Sequence, residues 1–169
     1  MHKDIKVVKG FVSEEDLVAI QKYVIKNDST FSEFGNGEKE FTFHASFTDP
    51  AIKSLLDSYG KKVLKFVQKN YEGPFGDFDD SKTHIARFGE GWGMHEHFDS
   101  TKPNDIATLI YLNDTYMGGE IYFPDHDVII KPEPGDLVCF PDTPDFVHGV
   151  KPISGGVRYT SPRWFTRIV

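Results

Sequence analysis

The 169-residue sequence predicts an α+β fold, mainly β: a jelly roll (double-stranded β-helix) with N-terminal helices packed on one sheet. Three observations predict it. Apolar residues at helical spacing are confined to about residues 1–70. From about residue 80 short apolar or alternating runs follow one another, and Gly or Pro separates them. The expectation is therefore one domain over residues 1–169, with a helical part at about 1–70 and a jelly-roll core at about 80–169.

Residues 5–8 read as a short strand. Ser13 is a good N-cap, Asp16 suits a first helical turn, and Val12 and Leu17 are spaced as a hydrophobic staple. Leu17, Ile20 and Val24 then share one face, predicting a helix over about 14–26. Residues 28–47 lack a helical period and read as a loop or hairpin, a candidate substrate lid. Asp49-Pro50 opens a second helix, whose buried stripe is Ile52, Leu55, Leu56, Tyr59, Val63 and Phe66. Gly60 within it predicts a bend. The remaining runs are 83–88, 94–99, 106–112, 119–123, 127–131, 136–140, 146–151 and 157–168, with turns at Gly118-Gly119 and Pro134-Gly135.

Composition narrows the function. One cysteine, Cys139, excludes an internal disulfide framework and a multi-cysteine zinc site, and its apolar surroundings make it a core residue. The net charge of −7 argues against nucleic acid as the main partner. No stretch approaches a transmembrane helix, and the charged start is no signal peptide, so the expectation is a soluble, intracellular, cytoplasmic protein without membrane association.

The sharpest local signal is Gly91-Trp92-Gly93-Met94-His95-Glu96-His97-Phe98-Asp99. On a strand, His95, His97 and Asp99 share a face, opposite Glu96 and Phe98. A His and a carboxylate two residues apart can reach one metal, and His148 is the best distant third ligand. Two imidazoles and one carboxylate leave open positions, the arrangement of non-haem iron(II) oxygenases. His-x-Asp alone is common by chance, so the later arginine matters. Arg158, ten residues after His148, presents a planar fork suited to a dicarboxylate; standing alone it would read as a surface ion pair.

Six ordered pieces then resemble the 2-oxoglutarate and iron(II)-dependent dioxygenases of the prolyl 4-hydroxylase type. They are Phe11-Val12-Ser13-Glu14-Glu15; Phe88-Gly89-Glu90-Gly91 leading to His97-x-Asp99; Ile110-Tyr111-Leu112-Asn113-Asp114; Gly118-Gly119-Glu120-Ile121-Tyr122-Phe123-Pro124; Pro134-Gly135-Asp136 with Phe140 before His148; and Gly156-Val157-Arg158-Tyr159 with Trp164. The resemblance implies iron(II) on His97, Asp99 and His148, and 2-oxoglutarate as small-molecule co-substrate on Arg158 and Tyr111. It also implies dioxygen as oxidant, ascorbate as reductant, and release of succinate and carbon dioxide as a substrate C–H is hydroxylated. Trp164 and Met94 would face a substrate that is a protein or peptide, a peptidyl proline first, or a small molecule. Two departures bear on proline. The family's prolyl hydroxylases often carry Tyr where Phe88 stands, and an aromatic where Met94 stands.

Two other readings compete. Gly89-x5-His95-x-His97 fits half of a cupin motif, with both histidines as ligands, but the Glu expected a few residues later is missing. A non-catalytic jelly-roll binding module is the other. His126, between Asp125 and Asp127, reads as a solvated turn, His84 carries no role, and His44 is a lid residue that is open to a substrate role.

Overall fold

The computed structural model describes residues 1–33, 41–99 and 105–168. Strand β1 (Lys6–Val8) leads into α1 (Glu14–Lys26). The Ser13 hydroxyl accepts the Asp16 N–H at 3.3 Å, and Leu17, Ile20, Tyr23 and Val24 are buried. A 3₁₀ turn over Asp28–Thr30 precedes β2 (Ser32–Glu33), which pairs with β3 (Phe41–His44), so the segment predicted over 28–47 is in part a strand pair; its residues 34–40 lie outside the described residues. Helix α2 (Pro50–Asn70) starts on Asp49, whose carboxylate accepts the Ala51 N–H at 2.9 Å. It runs unbroken through Gly60. A Cβ there would come within 2.3 Å of the Phe78 ring, so the glycine serves close approach of that ring.

The strands follow as β4 (Ile85–Phe88), β5 (Met94–His97), β6 (Asp105–Tyr111), β7 (Tyr116–Gly118), β8 (Ile121–Phe123), β9 (Val128–Ile130), β10 (Leu137–Asp142), β11 (His148–Val150), β12 (Ile153–Gly156) and β13 (Arg158–Phe165). The run predicted over 119–123 is preceded by β7, because Gly118 and Gly119 both adopt positive φ (73° and 71°). A Cβ on Gly118 would lie 2.1 Å from the Pro152 carbonyl.

A seven-stranded sheet has the order β1-β10-β6-β13-β4-β3-β2, a four-stranded sheet the order β5-β11-β8-β9, and β12 pairs with β7. The pairings are antiparallel, and the architecture is the expected jelly roll. Alternation splits the larger sheet into two faces. Ile106, Ile110, Leu137 and Cys139 join the α1 and α2 stripes in one apolar cluster. Ala107, Tyr111, Val138 and Phe140 face inward and pack with Ile121 and Phe123 of the smaller sheet. Each fully buried aliphatic side chain in these layers contributes about 1.5–3 kcal/mol, so the helices hold the larger sheet from behind. Among the described residues no helix is long and apolar enough to cross a membrane.

Candidate metal centre and its cavity

A cavity of about 630 Å³ is lined by residues of both large sheets. The metal-capable side chains come from the smaller one and from the chain just after its strand β5. His97 ends β5 and His148 begins β11, and the two are directly paired across the ladder. Their rings lie 4.6 Å apart, centroid to centroid. Asp99 follows two residues after His97; its carboxylate is 3.1 Å from His97 Nε2 and 4.0 Å from His148 Nε2. One ligand atom from each of the three lies within 4.8 Å of the others.

The expected alternation fails at His95. His148 pairs with His97 and Val150 with Met94, so three steps along β5 match two along β11. That extra residue is a β-bulge, and it turns the next side chain to the other face. Met94 and His97 line the cavity together; His95 is exposed and does not line it. What His95 supplies is its carbonyl, 2.6 Å from His97 Nδ1. The Phe146 carbonyl stands 3.1 Å from His148 Nδ1 in the same way. A carbonyl only accepts, so each Nδ1 carries a proton and each Nε2 is the nitrogen a metal would take.

The electrostatics suit a cation. The Asp99 hydrogen bond holds the His97 imidazole above its ordinary value, against burial. Burial pushes Asp99 upward, yet the His97 hydrogen bond and the nearby imidazoles bring it below the usual carboxylate range. Burial, aided by His97, lowers His148 to about 4, which keeps it neutral. A divalent ion would displace the proton that His97 and Asp99 share.

Arg158, from β13, is 1% exposed and lines the same cavity. Its Nη2 donates to the Tyr111 hydroxyl at 3.1 Å, and its guanidinium lies 4.7 Å from the Phe88 ring centre and 5.0 Å from that of Tyr111. Its Nε has no hydrogen-bond partner, and no carboxylate pairs with it among the described residues. A buried guanidinium without an anion costs several kcal/mol, so the site fits a carboxylate ligand. Phe88 supplies a ring face where a tyrosine would supply a hydroxyl. Tyr111 is fully buried and sits behind the guanidinium rather than on the cavity wall.

Trp164 lines the cavity and donates its indole N–H to Asp99 at 2.9 Å. His84, to which the sequence assigned no role, also lines it. Its ring is parallel to that of Trp164 at 6.4 Å and edge-on to Phe43 at 5.1 Å. Asp142 is fully buried and accepts the Asp99 N–H at 2.8 Å. Its signal in the sequence was an acid on the inward parity of an apolar strand, after Val138 and Phe140. His44 does not line the cavity: it is 3% exposed and bonded to the Tyr23 hydroxyl at 2.6 Å. His126 packs on His2 and Phe146.

Residues 83–166 match the family model of the 2OG-Fe(II) oxygenase superfamily. Prolyl 3-hydroxylase 2 of Homo sapiens is 36% identical over 67 residues, which is 37% of this chain and 10% of that protein. The chain thus spans about a tenth of the length of the first curated relatives it matches. A putative prolyl 4-hydroxylase of Acanthamoeba polyphaga mimivirus is 24% identical over 162 residues, covering 79% of this chain and 66% of that protein. A prolyl hydroxylase from Trichoplax adhaerens, solved with a hypoxia inducible factor peptide fragment, has the same fold, with a TM-score of 0.78. Its identity is 15%, over 98% of this chain and 84% of that one. With the family model and these relatives in agreement, the chain belongs to the 2OG-Fe(II) oxygenase superfamily and is prolyl 4-hydroxylase-like within it.

Proposed function

We propose that this chain is an iron(II)- and 2-oxoglutarate-dependent dioxygenase that hydroxylates a substrate C–H bond, with peptidyl proline as the first substrate class. One observation carries the reading: a single cavity holds both the His97–Asp99–His148 donor set and the Arg158 guanidinium, which pairs with no carboxylate among the described residues. The donors fit iron(II), being two imidazoles and one carboxylate. The orphaned Arg158 Nε fits a dicarboxylate co-substrate.

His97 and His148 would hold the metal through Nε2, and Asp99 through its carboxylate. When bound together, iron, 2-oxoglutarate and dioxygen supply the oxidising chemistry, giving succinate and carbon dioxide as one oxygen atom enters the substrate. Arg158 anchors the far carboxylate, and Tyr111 holds the guanidinium in place. Leu109, Ile121, Phe140 and Val150 make an apolar wall that excludes water. Met94, Trp164, His84 and Phe43 are the side chains a substrate would meet. The peptide assignment draws on the prolyl hydroxylase relatives and on the peptide complex of the Trichoplax adhaerens structure. Ascorbate would serve as reductant. An intracellular, soluble enzyme is part of the same proposal.

The test is succinate formation from 2-oxoglutarate with iron(II), ascorbate and a prolyl peptide, for the wild type, His97→Ala and His95→Ala. Activity in the wild type and His95→Ala, lost in His97→Ala, is the expected pattern. No succinate above a metal-free blank from the wild type, or loss in both variants, would overturn the assignment.

A further inference from the structure

We infer that Asp142 is a positioning residue for the Asp99 ligand: by accepting the Asp99 backbone N–H, it holds that carboxylate where the two imidazoles meet it. The inference rests on His97, Asp99 and His148 being the metal site.

Asp99 needs such a tether. Strand β5 ends at His97, and its ladder to β11 ends at the His97–His148 pair, so Asp99 lies beyond the reach of the sheet. Asp142 closes β10 in the larger sheet, where its register partner is Asp105. From that frame its Oδ1 reaches across to the Asp99 N–H at 2.8 Å. Trp164, also from the larger sheet, donates to Asp99 Oδ2 at 2.9 Å. Between these two bonds the other carboxylate oxygen, Oδ1, is left 3.1 Å from His97 Nε2.

Stability does not explain the residue. Asp142 is 0% exposed, its Oδ2 has no hydrogen-bond partner, and no lysine or arginine pairs with it among the described residues. A buried carboxylate without a counter-ion opposes folding. The strand places an apolar side chain at each earlier inward position, Val138 and Phe140. An acceptor for the Asp99 N–H is what Asp142 adds and an apolar residue lacks.

Residues that orient metal ligands shift affinity by about 10- to 100-fold. The test is manganese(II) titration of the whole metal-free chain by calorimetry, with a thermal melt of each variant. Asp142→Leu fills the volume without an acceptor; Asp142→Asn keeps an acceptor oxygen and removes the charge. The expected result is that Asp142→Leu melts at or above the wild-type temperature yet binds manganese about 10- to 100-fold more weakly. Asp142→Asn should bind close to wild type. Wild-type affinity in Asp142→Leu would overturn the inference, and so would an Asp142→Asn variant as weak as Asp142→Leu. Were Asp142→Leu to unfold, wild-type-like binding by Asp142→Asn would still support it. Absence of manganese binding by the wild type would instead remove the metal site itself, which separates the two failures.

Discussion

Along β13 of the seven-stranded sheet the cavity takes Arg158, Thr160, Pro162 and Trp164, every second residue. Along β5 of the four-stranded sheet it takes Met94 and His97, three residues apart. The larger sheet is regular because helices back its other face, so a slip of one residue would expose a whole row of core side chains. The smaller sheet has short strands, and among the described residues the stripes of α1 and α2 pack on the larger sheet instead. The smaller sheet tolerates a bulge, and the bulge turns His97 into the cavity. The larger sheet is therefore the regular frame that carries Arg158, and the smaller one, with the residues just after β5, brings His97, Asp99 and His148 together.

Four measurements sharpen or break that contrast. The largest effect is expected at Arg158. Arg158→Leu should weaken 2-oxoglutarate binding by about 2–5 kcal/mol, the scale for truncating a buried charge partner. Its stability without ligand should be unchanged or higher, since a buried unpaired charge is removed. Calorimetry and a melt of the metal-free protein check this. A variant that unfolds would make Arg158 structural and end the distinction between frame and site.

Next comes pH. Burial sets His148 at about 4, so between there and 6.5 the unfolded chain takes up a proton that the folded one refuses. Stability of the metal-free protein should fall as pH drops through that window, by on the order of 3 kcal/mol. His97 acts in the opposite window: raised by Asp99, it stabilises fully below 6.5 and loses that contribution as pH rises through its folded value. Denaturation midpoints against pH should show a shallower acid limb in His148→Asn. An unchanged limb would count against the burial of His148.

Gly60→Ala tests the support behind the frame. The new Cβ would meet the Phe78 ring at 2.3 Å, an overpacking costing about 1–3 kcal/mol of stability. Manganese affinity should not move; if it does, the helices and the metal centre are coupled. The smallest effect is Tyr111→Phe, which removes one hydrogen bond to Arg158, worth about 0.5–1.5 kcal/mol. KM for 2-oxoglutarate should rise a few-fold with little change in kcat, and a large fall in kcat would place Tyr111 nearer the chemistry than behind the anchor.

Much of this is legible in the sequence. Both helices are, because Ser13 and Asp49-Pro50 mark their starts and their stripes keep a 3.6 period. The spacing of His97, Asp99, His148 and Arg158 is legible as well. Three features are not. The bulge that turns His95 outward leaves no mark in a short polar strand. The split of 157–168 from a preceding β12 depends on Gly156 at positive φ, packed on the Thr115 carbonyl. His84 reads as any alternating strand residue until Trp164, eighty positions later, is laid against it.

By itself the chain determined its elements, its two-faced strands and the residue types able to bind a metal and a dicarboxylate. These follow from local periodicity and side-chain chemistry. Tertiary structure alone decided which side chains share the cavity, that Arg158 Nε has no partner among the described residues, and that Asp142 and Trp164 bond to Asp99 from the opposite sheet. The reason is distance along the chain. Those contacts join residues more than forty positions apart, and no local pattern encodes a register that only packing of the two sheets can select.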